Sequence, residues 1–236
     1  MQASRLVSES MNLMNKILLG IILLSTTGAS TETYIYKVKY GPVHAGMATL
    51  IHTVEENVLR SIFVIESSPW LSTLWTLSDT VITEYIIDVE RLVRHSRSIH
   101  EGSYHRNYEV SFNDSNQAIV NGKEKEVEVQ GLRDIPSLLY NLSLTRFHHG
   151  DTLQYRMWDG RGSAELQLLV KKVDKPPLFK PFEKKGWRLT PLNSTRKSRA
   201  NQIQLSMLYS KSFPHVPLEI EIATKYGNIQ MSLEAP

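Results

Sequence analysis

The sequence predicts a mainly β protein, in which a single antiparallel sheet closes into a barrel or rolls into a spiral and one short helix covers an end. Three observations lead to this prediction. About a dozen short segments have the alternation of apolar and polar residues that is typical of a strand with one buried face. A single segment has the apolar spacing and capping residues of a helix. No motif repeats at a fixed interval, which argues against a solenoid or a propeller.

The composition narrows the class of protein further. The chain has 236 residues, of which 41% are hydrophobic and 22% charged, as in globular proteins. It contains no cysteine, which excludes disulfides, thiolate zinc sites and cysteine nucleophiles. The net charge of +3 comes without any recognisable nucleic-acid-binding module, so no nucleic-acid partner is predicted.

The amino-terminal segment predicts export. Lys16 is followed by the apolar run 17–24 and then by small residues, which is the pattern of a cleavable signal peptide over 1–30. The run is shorter than the roughly 20 residues of a bilayer-spanning helix, although an uncleaved anchor is the alternative. We therefore expect residues 31–236 to form a single barrel-like domain in the periplasm. Translation starts at Met1 or at one of two later methionines, Met11 or Met14.

The segment 33–54 predicts a β-hairpin. Tyrosines and a valine occupy every second position between residues 34 and 40. Gly41-Pro42 and Ala45-Gly46 interrupt this pattern, and the extended pattern resumes at 47–54. We expect the chain to reverse direction between these two interruptions.

The next segments predict a central strand and a plug. Residues 59–67 are apolar on both faces, which indicates a strand that packs on both sides. Residues 67–75 contain a proline, two tryptophans and two leucines, and we expect a short helical turn that closes one end of the barrel. In the alternative, this end is the mouth of a ligand site, and the predicted ligand-binding residues are Trp70, Trp75, Tyr104 and Leu138.

Further strands follow at 81–89, 92–100 and 104–112. Asn121-Gly122 predicts a tight hairpin turn, because both residues tolerate positive φ. The charged segment 123–126 is then expected to lie at an exposed sheet edge.

A helix is predicted to begin near Asp134, whose carboxylate can cap it. Pro136 is compatible with the first turn. An apolar stripe of three leucines indicates that the helix packs over a barrel end, and these are Leu138, Leu139 and Leu142. Later strands are predicted at 152–158, 164–170, 187–192, 202–209, 217–224 and 228–233.

The segment 171–199 is rich in basic residues and prolines. It is predicted to be a loop that forms a solvated rim or, alternatively, contacts anionic lipid headgroups or an acidic partner. The basic residues assigned to this rim are Lys180, Lys184, Lys185, Arg188, Arg196, Lys197 and Arg199.

No catalytic motif is found. A glycine-flanked serine elbow and a phosphate-binding glycine loop are both missing from the sequence. His100 and His105 lack the spacing of a helical zinc motif, and we expect a strand, turn and strand to keep them from converging on a metal. His148-His149 is a weak alternative. No metal and no cofactor are predicted, and four aspartates beside turns are interpreted as caps, namely Asp79, Asp88, Asp134 and Asp151.

Several spaced elements resemble a bacterial family, the domain of unknown function 3108. The matching residues are Tyr40-Gly41-Pro42-Val43, Ala45-Gly46, Ser67-Ser68-Pro69-Trp70-Leu71-Ser72, Asp79, His100-Glu101-Gly102, Tyr104, Phe112-Asn113, Asp134-Ile135-Pro136-Ser137-Leu138-Leu139-Tyr140, Gly150-Asp151, Trp158-Asp159-Gly160 and Pro217-Leu218. The resemblance implies an exported envelope protein with a rolled or barrel-like antiparallel sheet and no established catalytic residues. The chain departs from the family pattern at Asn113, Leu142 and Lys175-Pro176-Pro177.

The main functional hypothesis is therefore a non-enzymatic periplasmic protein that supports envelope maintenance by binding a protein or another envelope component. An anionic lipid surface is a further possible partner. The alternatives are a carrier that holds a lipid or other amphiphile in the barrel interior, and a hydrolase with a dispersed site.

Overall fold

The computed structural model describes residues 28–72, 76–115, 117–158, 160, 162–174, 185–192, 204–224 and 227–234. Residues 1–27 of the predicted signal peptide lie outside the described residues. Neither helix in these ranges combines the length and the apolar character that crossing a bilayer requires.

In the described part of the chain, fifteen strands form one sheet and two short helices accompany it. The strands are β1 (Ser30–Tyr40), β2 (Val43–Glu55), β3 (Val58–Ser67), β4 (Leu77–Ile86), β5 (Arg91–Glu101), β6 (Tyr104–Phe112), β7 (Gln117–Val120), β8 (Lys123–Glu126), β9 (Leu132–Arg133), β10 (Thr152–Trp158), β11 (Ser163–Val173), β12 (Gly186–Pro191), β13 (Leu205–Ser210), β14 (Pro217–Thr224) and β15 (Gly227–Leu233). The helices are α1 (Pro69–Ser72) and α2 (Ile135–Ser143).

The order of strands across the sheet is β8-β7-β6-β5-β4-β3-β2-β1-β15-β14-β13-β12-β11-β10-β9. Each strand pairs antiparallel with its neighbours, except that β9 pairs parallel with β10. Strand β9 was not predicted, because two residues are too few to show an alternating pattern. The mainly antiparallel, all-β fold class is confirmed.

The sheet is not closed, since β8 and β9 form its two ends among the described residues. It is rolled, because the segment that leads into β9 returns to the start of β5. The backbone N–H of Gly131 donates to the carbonyl oxygen of Glu90 at 3.0 Å. The guanidinium of Arg133 also lies 2.9 Å from the Glu90 carboxylate. The observed architecture is thus an open, rolled sheet rather than a closed barrel.

Helix α2 begins where the sequence predicted. The Asp134 carboxylate accepts a hydrogen bond from the backbone N–H of Ser137, and the Ser137 hydroxyl accepts one from the N–H of Asp134, which completes a capping box. The three predicted leucines are fully buried in the larger of two apolar clusters. A smaller apolar cluster lies between strands β3, β4, β5 and β6 on one side and Trp158 on the other. The apolar stripe therefore holds α2 against the inner face of the sheet.

Both predicted hairpins are present. The chain reverses at Gly41 and Pro42, whereas at Ala45-Gly46 the strand β2 continues with a bulge. Val38 pairs with Gly46 and Lys39 with His44, so Ala45 is an extra residue. A Cβ on Gly46 would overlap the Glu66 carbonyl oxygen, so glycine is needed there for the close approach of β3. Asn121 and Gly122 have φ values of +48° and +79°, and the charged strand β8 lies exposed at the sheet edge.

Two predictions about the region around β3 have different outcomes. Packing on both sides of β3 is wrong, because Leu59 and Phe63 are buried whereas Ile62 and Val64 on the other face are only partly buried. The predicted helical turn is confirmed, since it corresponds to α1. Trp75, at the end of the predicted segment, lies outside the described residues.

Candidate functional site

Polar side chains form a row across the inner face of four neighbouring strands. His52 on β2 is paired in register with Ser61 on β3, and Ser61 with Thr83 on β4. Thr83 is in turn paired with His95 on β5. All four are buried, which is unusual for polar groups unless they are hydrogen-bonded. The row lies beneath the N-terminus of α2.

Asp134, the N-cap of α2, lies above this row and hydrogen-bonds to two of its members. Its carboxylate accepts hydrogen bonds from the Thr83 hydroxyl, from Nδ1 of His95 at 2.7 Å and from the Ser137 hydroxyl at 2.7 Å. Burial alone raises the pKa of Asp134, but the hydrogen bonds from His95, Thr83 and Ser137 and the charge of a protonated His95 outweigh it, so the pKa lies below its ordinary value. The carboxylate is therefore ionised and joins three elements of the fold.

His95 connects Asp134 to Tyr108. An ionised carboxylate only accepts hydrogen bonds, so Nδ1 of His95 carries the hydrogen. When the ring is neutral, its Nε2 accepts from the Tyr108 hydroxyl, which lies 3.2 Å away. Burial raises the pKa of Tyr108, which keeps its hydroxyl protonated. His95 thus hydrogen-bonds to Asp134 through one ring nitrogen and to Tyr108 through the other, which forms a relay of three side chains.

Arg97 and Asp79 lie beside this relay. Arg97 is the cross-strand partner of Tyr108 on β6. Its Nε lies 3.0 and 3.1 Å from the two carboxylate oxygens of Asp79, and its terminal nitrogen also donates to that carboxylate. The prediction that Asp79 acts as a cap is therefore wrong, because its strand position aims it at a cross-strand arginine. Asp134 does cap a helix, whereas Asp151 accepts from the N–H of His148 in a turn.

A cleft of about 190 Å³ lies between the first turn of α2 and the inner face of β4 to β6. Its polar groups come from Asp79, His95, Arg97, Tyr108 and Asp134. Its apolar walls are Phe63, Ile65, Val81, Ile135, Pro136, Trp158 and Ile222.

Trp158 is the most informative wall residue of the cleft. It is only 3% exposed, and its indole Nε1 has no hydrogen-bond partner among the described residues. A buried donor without an acceptor is costly, so this N–H gains from any acceptor that reaches it. The atom itself has almost no solvent-accessible area, so an acceptor in the cleft reaches it only when the surrounding side chains shift. Gly160 also lines the cleft, where a Cβ would lie 2.6 Å from the Tyr108 hydroxyl and crowd it.

His52 lies at the other end of the row. Its Nδ1 is 2.8 Å from the Ser61 hydroxyl, and the ring makes edge contacts with Tyr34 and Tyr140. Burial lowers the pKa of His52 to about 4, and the negative charge of Asp134 opposes this only in part. The ring is therefore neutral at physiological pH.

The predicted ligand-binding residues are not brought together at this cleft. Trp70 is 51% exposed on α1, and Tyr104 is 49% exposed at the start of β6. Leu138 is fully buried in the larger apolar cluster, and Trp75 lies outside the described residues. The three described residues do not line the cleft, so their role in binding stays a prediction.

The basic rim is described only in part. Lys185 is exposed, and Arg188 lies 3.2 Å from the carboxylate of Glu219. The other members lie outside the described residues, and they are Lys180, Lys184, Arg196, Lys197 and Arg199. Contact of this rim with lipid or an acidic partner stays a prediction.

The arrangement can bind through hydrogen bonds, but it does not resemble a metal centre. Within the described ranges, no three side chains of histidine, aspartate or glutamate cluster in a way that could hold a metal ion. The lining of the cleft contains the carboxylates of Asp79 and Asp134 as well as the Arg97 guanidinium and the Tyr108 hydroxyl, and these groups hydrogen-bond to one another or to His95. The Trp158 indole N–H is the donor of the lining that has no partner among the described residues. The site therefore favours an oxygen acceptor on whatever enters it.

The family model of a protein of unknown function, DUF3108, matches residues 35–234. The chain belongs to the DUF3108 family. This confirms the resemblance drawn from the sequence, and the matched range of the DUF3108 chain contains the polar row, the relay and the cleft.

Among solved structures, the DUF3108 chain is similar to the crystal structure of a beta-barrel-like protein of domain of unknown function DUF1849 from Brucella abortus. The TM-score is 0.52 at 10% sequence identity, and the match covers 86% of this chain and 95% of that chain. At such low identity the likeness shows the fold alone, which is β-barrel-like. No curated protein matches the sequence.

Proposed function

We propose that this DUF3108 protein is an exported, non-enzymatic periplasmic protein that helps to maintain the cell envelope by binding another envelope protein. We further propose that a segment of this partner inserts a side chain or chain end into the cleft beside α2. The signal-peptide pattern over residues 1–30 supports export.

The single observation that carries the proposal is the unpaired indole N–H of Trp158, buried in the wall of the cleft. It is a donor without a partner in a wall that is otherwise mainly apolar, whereas Arg97 and Tyr108 already hydrogen-bond to Asp79 and His95. A peptide segment matches this chemistry, because it presents carbonyl oxygens next to apolar side chains.

The size of the cleft favours a peptide segment over a whole small molecule or lipid. Pockets for drug-sized ligands measure roughly 300 to 1,000 Å³, whereas this cleft measures about 190 Å³. Leu138, Leu139 and Leu142 of α2 are fully buried in the larger apolar cluster, where they occupy space that a carried ligand would need. This packing favours the binding hypothesis over the carrier hypothesis.

The hydrogen bonds of the site favour binding over hydrolysis. A catalytic hydroxyl needs a base that takes its proton or a lowered pKa. The hydroxyls of Thr83 and Ser137 both donate to the Asp134 carboxylate, but the lowered pKa of this carboxylate makes it a weak base, and the pKa of Tyr108 is raised. The groups therefore hold the cleft in shape rather than activate a nucleophile.

The proposal is tested by photo-crosslinking in living cells. A photoreactive amino acid replaces Ile135, which lines the cleft and is half-buried. The matched control carries it at Val58, which is 40% exposed at the start of β3 and away from the cleft. We expect a discrete protein adduct in the periplasmic fraction from position 135 only, and its loss when Val81→Phe fills the cleft.

Three results would contradict the proposal. The first is the same set of adducts from both positions. The second is an adduct with lipid, or copurified lipid detected by mass spectrometry, which would support the carrier instead. The third is retention of the full-length chain in the cytosol.

A further inference from the structure

His100 and His105 face each other on the outer surface of the sheet. They are directly paired across β5 and β6, and their ring centroids are 3.9 Å apart with an interplanar angle of 65°. Both side chains are exposed. The loop between the strands is the two residues Gly102 and Ser103, and Gly102 has a φ of +59°. The predicted strand, turn and strand is confirmed, and this short turn places the two imidazoles opposite each other.

The surroundings of the pair leave room for a ligand. On the same face, His100 is paired with Ser78 of β4, and Ser98 and Asn107 are the next residues along β5 and β6. These neighbours are short and uncharged. The next residue in the row beyond Ser78 is Glu66 on β3, which is exposed and lies two strands away from His100.

The geometry of the pair is close to that needed for a shared metal ion. A zinc–nitrogen bond of about 2.0 Å and a tetrahedral angle place two imidazole centroids about 5 Å apart. The rings must therefore separate by about 1 Å, which side chains on an exposed surface do by small rotations. Water can fill the remaining coordination positions.

We propose that His100 and His105 form a two-histidine site for a divalent transition metal, with Cu²⁺, Ni²⁺ and Zn²⁺ as the ions that imidazole favours. The site lies on the outer face of the sheet, whereas the cleft with Arg97 opens on the inner face. Metal binding is thus independent of the partner proposed for the cleft.

The test is a calorimetric titration of the purified, untagged protein with Zn²⁺ and with Ni²⁺. We expect one equivalent to bind, and each of the variants His100→Asn and His105→Asn to bind on the order of tenfold more weakly, since losing either ligand removes the chelate. Far-UV circular dichroism is expected to be unchanged, because both imidazoles are exposed.

Two control variants distinguish this site from other exposed histidines. His44→Asn removes a single exposed imidazole on β2, and His148→Asn removes one from the His148-His149 pair. Both are expected to retain wild-type affinity. A double variant that carries both His100→Asn and His105→Asn is also titrated. If it binds the metal as tightly as wild type, or if either control loses metal binding, the proposal is overturned.

Nuclear magnetic resonance gives a second readout that does not depend on affinity. Substoichiometric Cu²⁺ is expected to broaden the ring signals of His100 and His105 before those of other histidines. Mg²⁺ is expected to leave them sharp, because it prefers oxygen ligands. Broadening that begins elsewhere would assign the metal to another site.

Discussion

The imidazole of His95 lies 2.7 Å from the carboxylate of Asp134, although the two residues are 39 positions apart in the sequence. This contact joins the inner face of β5 to the N-cap of α2. One wall of the cleft is the first turn of α2, and the opposite wall is the sheet. The hydrogen bond therefore holds both walls of the cleft in position.

Replacing Asp134 with alanine is expected to destabilise the fold strongly. The change removes an N-cap, which is worth about 1 kcal/mol. It also leaves Thr83 and His95 buried without their acceptor, at about 1 to 3 kcal/mol each. We expect the free energy of unfolding from urea titration to fall by about 3 to 7 kcal/mol.

The matched control for this variant is Asp88→Ala. Asp88 is exposed and accepts one hydrogen bond of 3.3 Å from Asn57. Its loss is expected to cost less than about 0.5 kcal/mol, as for most surface changes. Equal losses in the two variants would show that the buried network does not stabilise α2.

The stability of the protein is expected to fall between pH 6.5 and pH 4 because of His52. The pKa of this ring in the folded protein is about 4, against an ordinary value of 6.5. Below pH 6.5 the unfolded chain binds a proton at His52 that the folded chain does not, so acid favours unfolding. The expected loss over this window is about 2 to 3 kcal/mol.

Urea titrations at several pH values test this for wild type and for His52→Gln. The Asp134 carboxylate acts in a different window: its pKa is lowered, so its contribution is present above about pH 4 and is lost only at lower pH. The His52→Gln variant is expected to lose most of the pH dependence of its free energy of unfolding between pH 6.5 and 4. If His52→Gln keeps the wild-type slope of unfolding free energy against pH, another group causes the loss of stability.

Replacing Gly46 with alanine is expected to disturb the pairing of β2 and β3. The new Cβ would overlap the carbonyl oxygen of Glu66, which belongs to the backbone and cannot rotate away. We expect the free energy of unfolding to fall by about 1 to 3 kcal/mol, as in overpacked cores. The control is Gly162→Ala, whose Cβ would meet only the flexible end of Lys125. Equal stability of both variants would contradict the close approach of the strands.

The alternative in which the basic rim contacts lipid predicts that the protein binds anionic membranes. A basic residue near a charged bilayer contributes about 1 kcal/mol. Changing Lys180, Lys184 and Lys185 to glutamine is therefore expected to weaken cosedimentation with phosphatidylglycerol vesicles on the order of a hundredfold. Neutral phosphatidylcholine vesicles are the control. Equal binding of wild type and variant to the anionic vesicles would favour a solvated rim.

Local patterns of the sequence predict much of the fold. The Asp134 cap and its leucine stripe locate α2, and Asn121-Gly122 locates the turn between β7 and β8. Strands β10 and β14 begin and end where the apolar alternation predicts them, at 152–158 and 217–224. These features depend on residues close together in the chain, so the sequence alone is sufficient.

The candidate site was missed because a bulge reverses the alternation in β5. Tyr85 of β4 pairs with Leu92, but Glu84 pairs with Arg94, so Val93 is an extra residue. As a result Leu92 and His95 are both buried on the inner face, although a regular strand would place them on opposite faces. A sequence pattern does not show such a bulge. The contact of His95 with Asp134 also depends on the rolling of the whole sheet.

The central claim is that the cleft recognises an oxygen acceptor through the indole N–H of Trp158. Its most direct test compares the crosslinking yield from position 135 in the parent chain and in the Trp158→Phe variant, which lacks that N–H but keeps an aromatic wall. We predict that the yield of the protein adduct falls severalfold while the protein level and export stay the same. An undiminished yield in Trp158→Phe would contradict the account.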